Sequence, residues 1–520
     1  MTTTRTKSPI PCAIESTVFR RAVYGVASSI SGMASVLIGQ CQPQWSPSFG
    51  PGVNGPVHAL AMLPGGETVA AGSFTVAGGV AANRIASWNG TSWSPLGAGL
   101  NGTVYCARVL PGGTLVVGGD FTTAGGVAAS RIAQWDGTAW SALGSGTDGT
   151  VRAMALLPNG GLVVGGLFQA AGGLTSTGIA LWDGTNWAQM GAGTDLNLGV
   201  TALAVTAQGQ VVATGAFTSV AGTPARVALW SGANWTAVPG FPSSSPGSLF
   251  AIAVRPNGDI VVGNTDVFTP RRLYVWNGFW TSVGNSGPFD YVRCLHVLPN
   301  GDLLVGGELQ WEQGSQNLVR WNGTNWSAVQ GGAYNPGPFG TGGSVLAIAV
   351  APDGEVVVGG NITRVGPLSA PLTVGNLASL SSPCPATVTA SGTGCTGSGG
   401  LNTLIATTLP WVGSTFRASA TGMPSNAFVV VATGFTTVAV PLGSVLPQGV
   451  SGCTLLVSPD ILDVTSPEAG TASTALILPN SASLVGQAFH QQVLPLEVDL
   501  ALAPQALTAS NALTSIIGSF

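Results

Sequence analysis

The side chains of this 520-residue chain best placed to do chemistry are arginines with a few aromatic neighbours, and they fall into two aligned columns. One column runs His58, Tyr105, Arg152, Thr201, Phe250, Arg293 and Leu346. The other holds Arg84, Arg131, Arg226 and Arg272, with Gly178 and Asn317 at two further aligned places. Guanidinium groups gathered on one rim would take an anionic group, such as a uronate or a sulfate, through charge-assisted hydrogen bonds. The competing reading is that each arginine pairs within its own unit or caps a loop; Asp120 lies across one such loop from Arg131. No nucleophile–base set, calcium loop, paired-cysteine zinc motif or phosphate loop is legible, so no catalytic, cofactor or metal residue is assigned. His58 and His296 fall in different columns, which argues against a shared metal.

The columns exist because the chain repeats. Seven imperfect copies of one pattern, about 48 residues apart, run from Val57 to about Leu380. The clearest begins Val151-Arg-Ala-Met-Ala-Leu-Leu-Pro-Asn-Gly-Gly-Leu-Val-Val-Gly-Gly and resumes at Ile179-Ala-Leu-Trp-Asp-Gly-Thr-Asn-Trp. Each copy reads as four strands. Pro-Gly or Pro-Asn turns (Pro64, Pro111, Pro158) join the first two, and Asn-Gly or Asp-Gly turns (Asn89, Asp136, Asp183) join the last two. Helical periodicity is absent, so four-stranded antiparallel blades are expected. An orphan fourth-strand signature at Trp45 precedes the first copy, and the last copy lacks one. That complement predicts an all-β fold: a seven-bladed β-propeller closed by its N-terminal strand, with no free edge.

The paired glycines (Gly118-Gly119, Gly165-Gly166, Gly306-Gly307, Gly359-Gly360) and the Trp opening the fourth strand resemble Kelch-type repeats. These are also the repeats of galactose-oxidase-like propellers. The segment Gly118 to Thr123 followed by Arg131-Ile-Ala is similar to the delta-sixty repeats of secreted bacterial proteins. The resemblance implies a propeller and leaves function open. It does not extend to copper chemistry, since none of His58, His296 and His490 has a tyrosine neighbour in sequence. Asp-Gly-Thr-x-Trp at Asp136 and Asp183 is faintly similar to sialidase Asp boxes, and hairpin turns explain it fully.

Only 7% of residues are charged, against about 25% in an ordinary domain. The sole lysine is Lys7, and the formal net charge is −4, so no basic stripe exists for nucleic acid. Lys7, Arg20 and Arg21 precede an uncharged stretch from Ala22 to Gly39, which makes residues 1–40 a signal peptide. Cys41 allows a lipoprotein alternative, so any membrane attachment would run through an uncleaved or lipidated N-terminus. The protein is expected to be secreted or on the cell surface, and monomeric.

The propeller is assigned to residues 41–383, a Gly/Ser/Thr-rich linker to 384–400 and a small β-sandwich to 401–520. The sandwich resembles C-terminal modules of exported bacterial repeat proteins. Cys106 and Cys294 share a column otherwise filled by alanine and read as buried free thiols. In the tail, Cys395 with Cys453 is the expected disulfide, and Cys384 with Cys395 the alternative. Three functions remain open: a non-enzymatic module binding a glycan or protein on the loop-rich face; an extracellular lyase or hydrolase of acidic polysaccharide, acting at the propeller mouth; and a structural envelope protein. None needs a cofactor.

Overall fold

The computed structural model describes residues 43–191, 199–241, 249–264, 273–283, 291–311, 314–336, 342–351, 353–382 and 384–519. The 1–40 signal segment, Cys41 and Arg272 lie outside these. The chain divides before Cys384 into two units, each with its own core.

Among the described residues the first unit consists chiefly of seven four-stranded antiparallel sheets, numbered here by chain order of their first strands. The second sheet is typical: Val104–Val109, Leu115–Gly119, Ile132–Trp135 and Trp140–Ala142, each paired to the next. Its second strand is Val-rich and wholly buried, as a strand covered on both faces must be. The Asp-Gly turn forms as its residues dictate. Gly137 takes φ 104°, and the Asp136 carboxylate accepts the backbone N–H groups of Thr138 and Ala139 at 2.7 and 2.8 Å. This hairpin role accounts for both Asp-Gly-Thr-x-Trp segments.

Tryptophans stitch the sheets together. In six of the seven sheets the Trp opening the fourth strand packs on the Trp closing the third, with centroids 5.4 Å apart for Trp135 and Trp140. In the second, third and fourth sheets its indole N–H reaches a carbonyl of the preceding sheet: Trp140 to Leu96 at 2.8 Å, Trp187 to Leu143 at 3.0 Å, and Trp235 to Met190 at 3.0 Å. The indole N–H groups of Trp280 and Trp326, in the fifth and sixth, have no such partner among the described residues. A buried indole N–H is usually given such a partner.

The N-terminal strand Gln44–Ser46 follows the same rule. It pairs with Leu377–Ser381, Trp45 opposite Leu380, and so occupies the outer place in the seventh sheet. The Trp45 indole donates to the Gln330 carbonyl at 2.9 Å, and the Phe49 carbonyl accepts from Trp93 at 2.9 Å. First strands of successive sheets pack side by side, and Ser344–Val350 of the seventh also packs on Val57–Met62 of the first. The fold is of the propeller type.

In the second unit a three-stranded sheet (Thr403–Ala406, Thr415–Thr421, Thr471–Ile477) and a six-stranded sheet share one core. Phe416 meets Phe489 edge to face there, at 5.3 Å. Residues 384–400, expected to be a linker, are built into this unit. Thr387–Ser391 pairs along Ala512–Ile516, and Thr396–Gly397 pairs with Gly400–Leu401. Thr387–Ser391 is an edge strand that turns only Val388 toward the core, so its low apolar content disguised it. Cys395 and Cys453 form a disulfide with Cα atoms 5.6 Å apart, as expected. Cys384 is disulfide-bonded as well. Among the described residues no helix is long and apolar enough to cross a membrane.

Candidate functional site

One local irregularity, repeated seven times, builds the site. In every sheet the register between first and second strands shifts across one residue, a β-bulge. The residue within it is His58, Tyr105, Arg152, Thr201, Phe250, Arg293 or Leu346. Bulges re-aim side chains, and these seven line a single cavity of about 200 Å³. A glycine stands opposite the bulge in six of the seven sheets, with Asn264 in that place in the fifth. A Cβ on Gly119 would collide with the Thr103 carbonyl oxygen, and one on Gly360 with that of Ser344.

Within this mouth three side chains cluster, the His58 and Tyr105 rings tilted 58° to each other. The His58 and Tyr105 rings lie 5.5 Å apart, and the Arg152 guanidinium sits 4.0 Å from the Tyr105 ring centre. Burial, with the Arg152 charge second, lowers the His58 pKa below its usual range, so the imidazole is neutral at pH 7. The Tyr105 hydroxyl donates to Asp120 at 2.7 Å, and Asp120 also accepts from Thr150 at 2.9 Å. Burial first and this bond second push the phenol pKa up.

Arg293 is occupied differently. Its guanidinium bonds Glu308 at 2.9 and 3.2 Å and lies near the Phe250 and Tyr291 rings. The sequence signal for these acids is the place after the double glycine, Asp120 in the second sheet and Glu308 in the sixth.

The second column does not join the mouth. Arg84 and Arg131 take φ 70° and 67°, as Gly178 and Asn317 take 73° and 61°. Their guanidiniums turn back onto their own loops, Arg84 to the Phe74 carbonyl at 3.2 Å and Arg131 to that of Phe121 at 3.4 Å. What Arg84, Arg131, Gly178 and Asn317 share is left-handed backbone, which Arg226 does not adopt, and not a charged rim. Arg226 does not line the cavity either. Asp120, expected across from Arg131, serves Tyr105 instead.

Below the mouth the channel continues into a second cavity, of about 370 Å³, holding Arg108 and His296. Cys106 and Cys294 flank these positions, and burial pushes both thiol pKa values up to about 12, which keeps them protonated and inert. Burial, with the Arg108 charge second, holds the His296 pKa at about 4. The unfolded imidazole titrates near 6.5, so between pH 6.5 and 4 the unfolded chain binds more protons than the folded one. Stability is therefore lost as pH falls through that window. At about 1.4 kcal/mol per unit the loss is about 2–3 kcal/mol by pH 4. Denaturant midpoints across pH 4–7 should show this slope and His296→Ala should flatten it; an unchanged slope in the variant would refute the assignment.

No family model and no curated protein matches the sequence. Among solved structures, the chain is similar to an extracellular domain assigned to a one-component system of B. thetaiotaomicron, with 8% identity and TM-score 0.41. That match covers 92% of this chain but spans only 58% of the other. The WD40 propeller domain of Doa1 shares 14% identity over 65% of this chain and 96% of its own, with TM-score 0.40. A fungal alcohol oxidase of the AA5 family, in complex with copper, shares 13% identity over 90% of this chain and 99% of its own, with TM-score 0.42. At TM-scores below 0.5 none of these likenesses speaks to the channel residues. Among the described residues no three His, Cys, Asp or Glu side chains gather as a metal site would need.

Proposed function

We propose that the chain is an exported binding module: a closed seven-bladed, Kelch-like ring that takes an acidic glycan at its mouth, followed by an accessory β-sandwich. The observation that carries this is the cluster of His58, Tyr105 and Arg152 on bulges facing one cavity. Aromatic faces suit sugar rings. Among the described residues Arg152 has no carboxylate partner, so its fork is free for a uronate or sulfate. Ring closure is supported by Gln44–Ser46 completing the seventh sheet and by tryptophan bonds on both of its sides. Export is supported by the leader composition and by the tail disulfide.

Calorimetric titration with uronate-bearing and neutral oligosaccharides tests the reading. Micromolar to millimolar binding restricted to the acidic set is expected, weakened about 10–100-fold by Arg152→Ala, the range for losing a hydrogen bond to a charge. Equal affinity of the variant would sink it. A second reading, a lyase, draws on the neutral His58 beside Tyr105 and Arg152, since a neutral imidazole can accept a proton next to a uronate held by arginine. Appearance of unsaturated product, abolished by His58→Ala, would select it over simple binding.

A further inference from the structure

The fifth residue of each first strand makes a third column: Ala61, Arg108, Ala155, Ala204, Ala253, His296 and Ala349. Five sheets carry alanine there, and the second and sixth carry bases. Both bases line the 370 Å³ cavity, whose other walls are apolar side chains such as Leu60, Met62, Leu295 and Val350. It lies three residues farther along the strands than the mouth column, roughly 10 Å at strand rise.

Among the described residues no carboxylate pairs with Arg108, whose guanidinium bonds the carbonyl of the adjacent Ala107 at 2.9 Å. Arg108 is exposed to the solvent of the cavity, and the protein around it lowers its pKa. Both facts describe a group facing water inside a narrow channel. A cation set among apolar walls is less well solvated than one in open water unless it is paired. Alanine, which this repeat uses at the same place in five sheets, would avoid that loss. The repeat thus breaks its own pattern twice, and both breaks face one cavity.

We propose that Arg108 and His296 form an anion site deeper in the channel than the bulge residues, with Arg108 bordering both cavities, for a small carboxylate or inorganic oxyanion. The Arg108 fork offers parallel N–H donors to two oxygens, and the neutral His296 ring offers a further N–H. The apolar walls would leave these donors as the dominant polar partners, which selects charge over sugar-like hydroxyls. The site does not depend on the glycan reading of the mouth.

The test is thermal unfolding against added acetate or phosphate, with ionic strength held constant by a bulky sulfonate salt. The wild-type Tm is expected to rise and saturate with at least one of the two anions, as a ligand that binds only the folded state requires. In Arg108→Ala the half-saturating concentration should rise at least tenfold, while the anion-free Tm equals or exceeds that of wild type. Arg108→Gln, which keeps bulk and polarity, should lose the response in the same way if the alanine variant folds poorly. Arg152→Ala should keep the response. The proposal is overturned by a wild type that ignores both anions, by arginine-108 variants with an undiminished response, or by loss of the response in Arg152→Ala.

Discussion

Phe49→Ala is expected to destabilise the first unit by about 3–5 kcal/mol, the range for truncating a buried phenylalanine. Phe49 is only 3% exposed although it lies a few residues from the start of the described chain. Its ring packs 5.9 Å from both Trp88 and Trp93, and its carbonyl takes the Trp93 indole proton. Leu143 is the internal control. It is buried, and its carbonyl takes the Trp187 indole proton in the same manner, so Leu143→Ala should cost about 2–5 kcal/mol. Fourteen of the fifteen tryptophans precede Cys384, so tryptophan fluorescence in denaturant reports almost wholly on this unit. Comparable losses in the two variants would make the N-terminal strand an integral part of the ring. A neutral Phe49→Ala beside a costly Leu143→Ala would make it an appendage, and the closed ring would fall.

How far the sequence reached depended on what repeats. Strand order, the Asn-Gly and Asp-Gly turns and the outer place of Trp45 were legible because each copy restates them. The mouth column of His58, Tyr105, Arg152 and Arg293 was legible for the same reason, though not the bulge that aims it. A bulge leaves no residue signature of its own beyond the glycine opposite, and paired glycines read equally well as a plain strand end. For the arginine column the sequence offered two readings, a cationic rim or loop caps, and Arg84 and Arg131 follow the second; what the sequence did not announce is that Arg84 shares its backbone conformation with Gly178. Arg108 and His296 were visible as interruptions in an alanine column, but only neighbouring strands in three dimensions bring them to one cavity. The strand Thr387–Ser391 was missed because an edge strand with a single core-facing residue has almost no apolar signal.

The second large effect concerns the tail. Replacing Cys395 and Cys453 together by alanine is expected to lower the stability of the second unit by about 4 kcal/mol, from the loop entropy released by a sequence separation of 58. Alanine suits the test because Cys453 is buried among Leu442, Leu455 and Leu507, where serine would add an unsatisfied hydroxyl. Substitution is also cleaner than a reducing agent, which would attack the Cys384 disulfide as well. The free thiols of the first unit do not interfere. Cys106 and Cys294 ionise only near 12, and exchange requires a thiolate. Calorimetry of the whole chain should therefore show one transition moving down while the other stays fixed, since no cross-link of the first unit is altered. An unmoved tail transition would mean that the sheet pairing of Thr387–Ser391 already confines this segment in the unfolded ensemble. Movement of both transitions together would mean that the two units melt as one, and the separate cores would then have to be coupled.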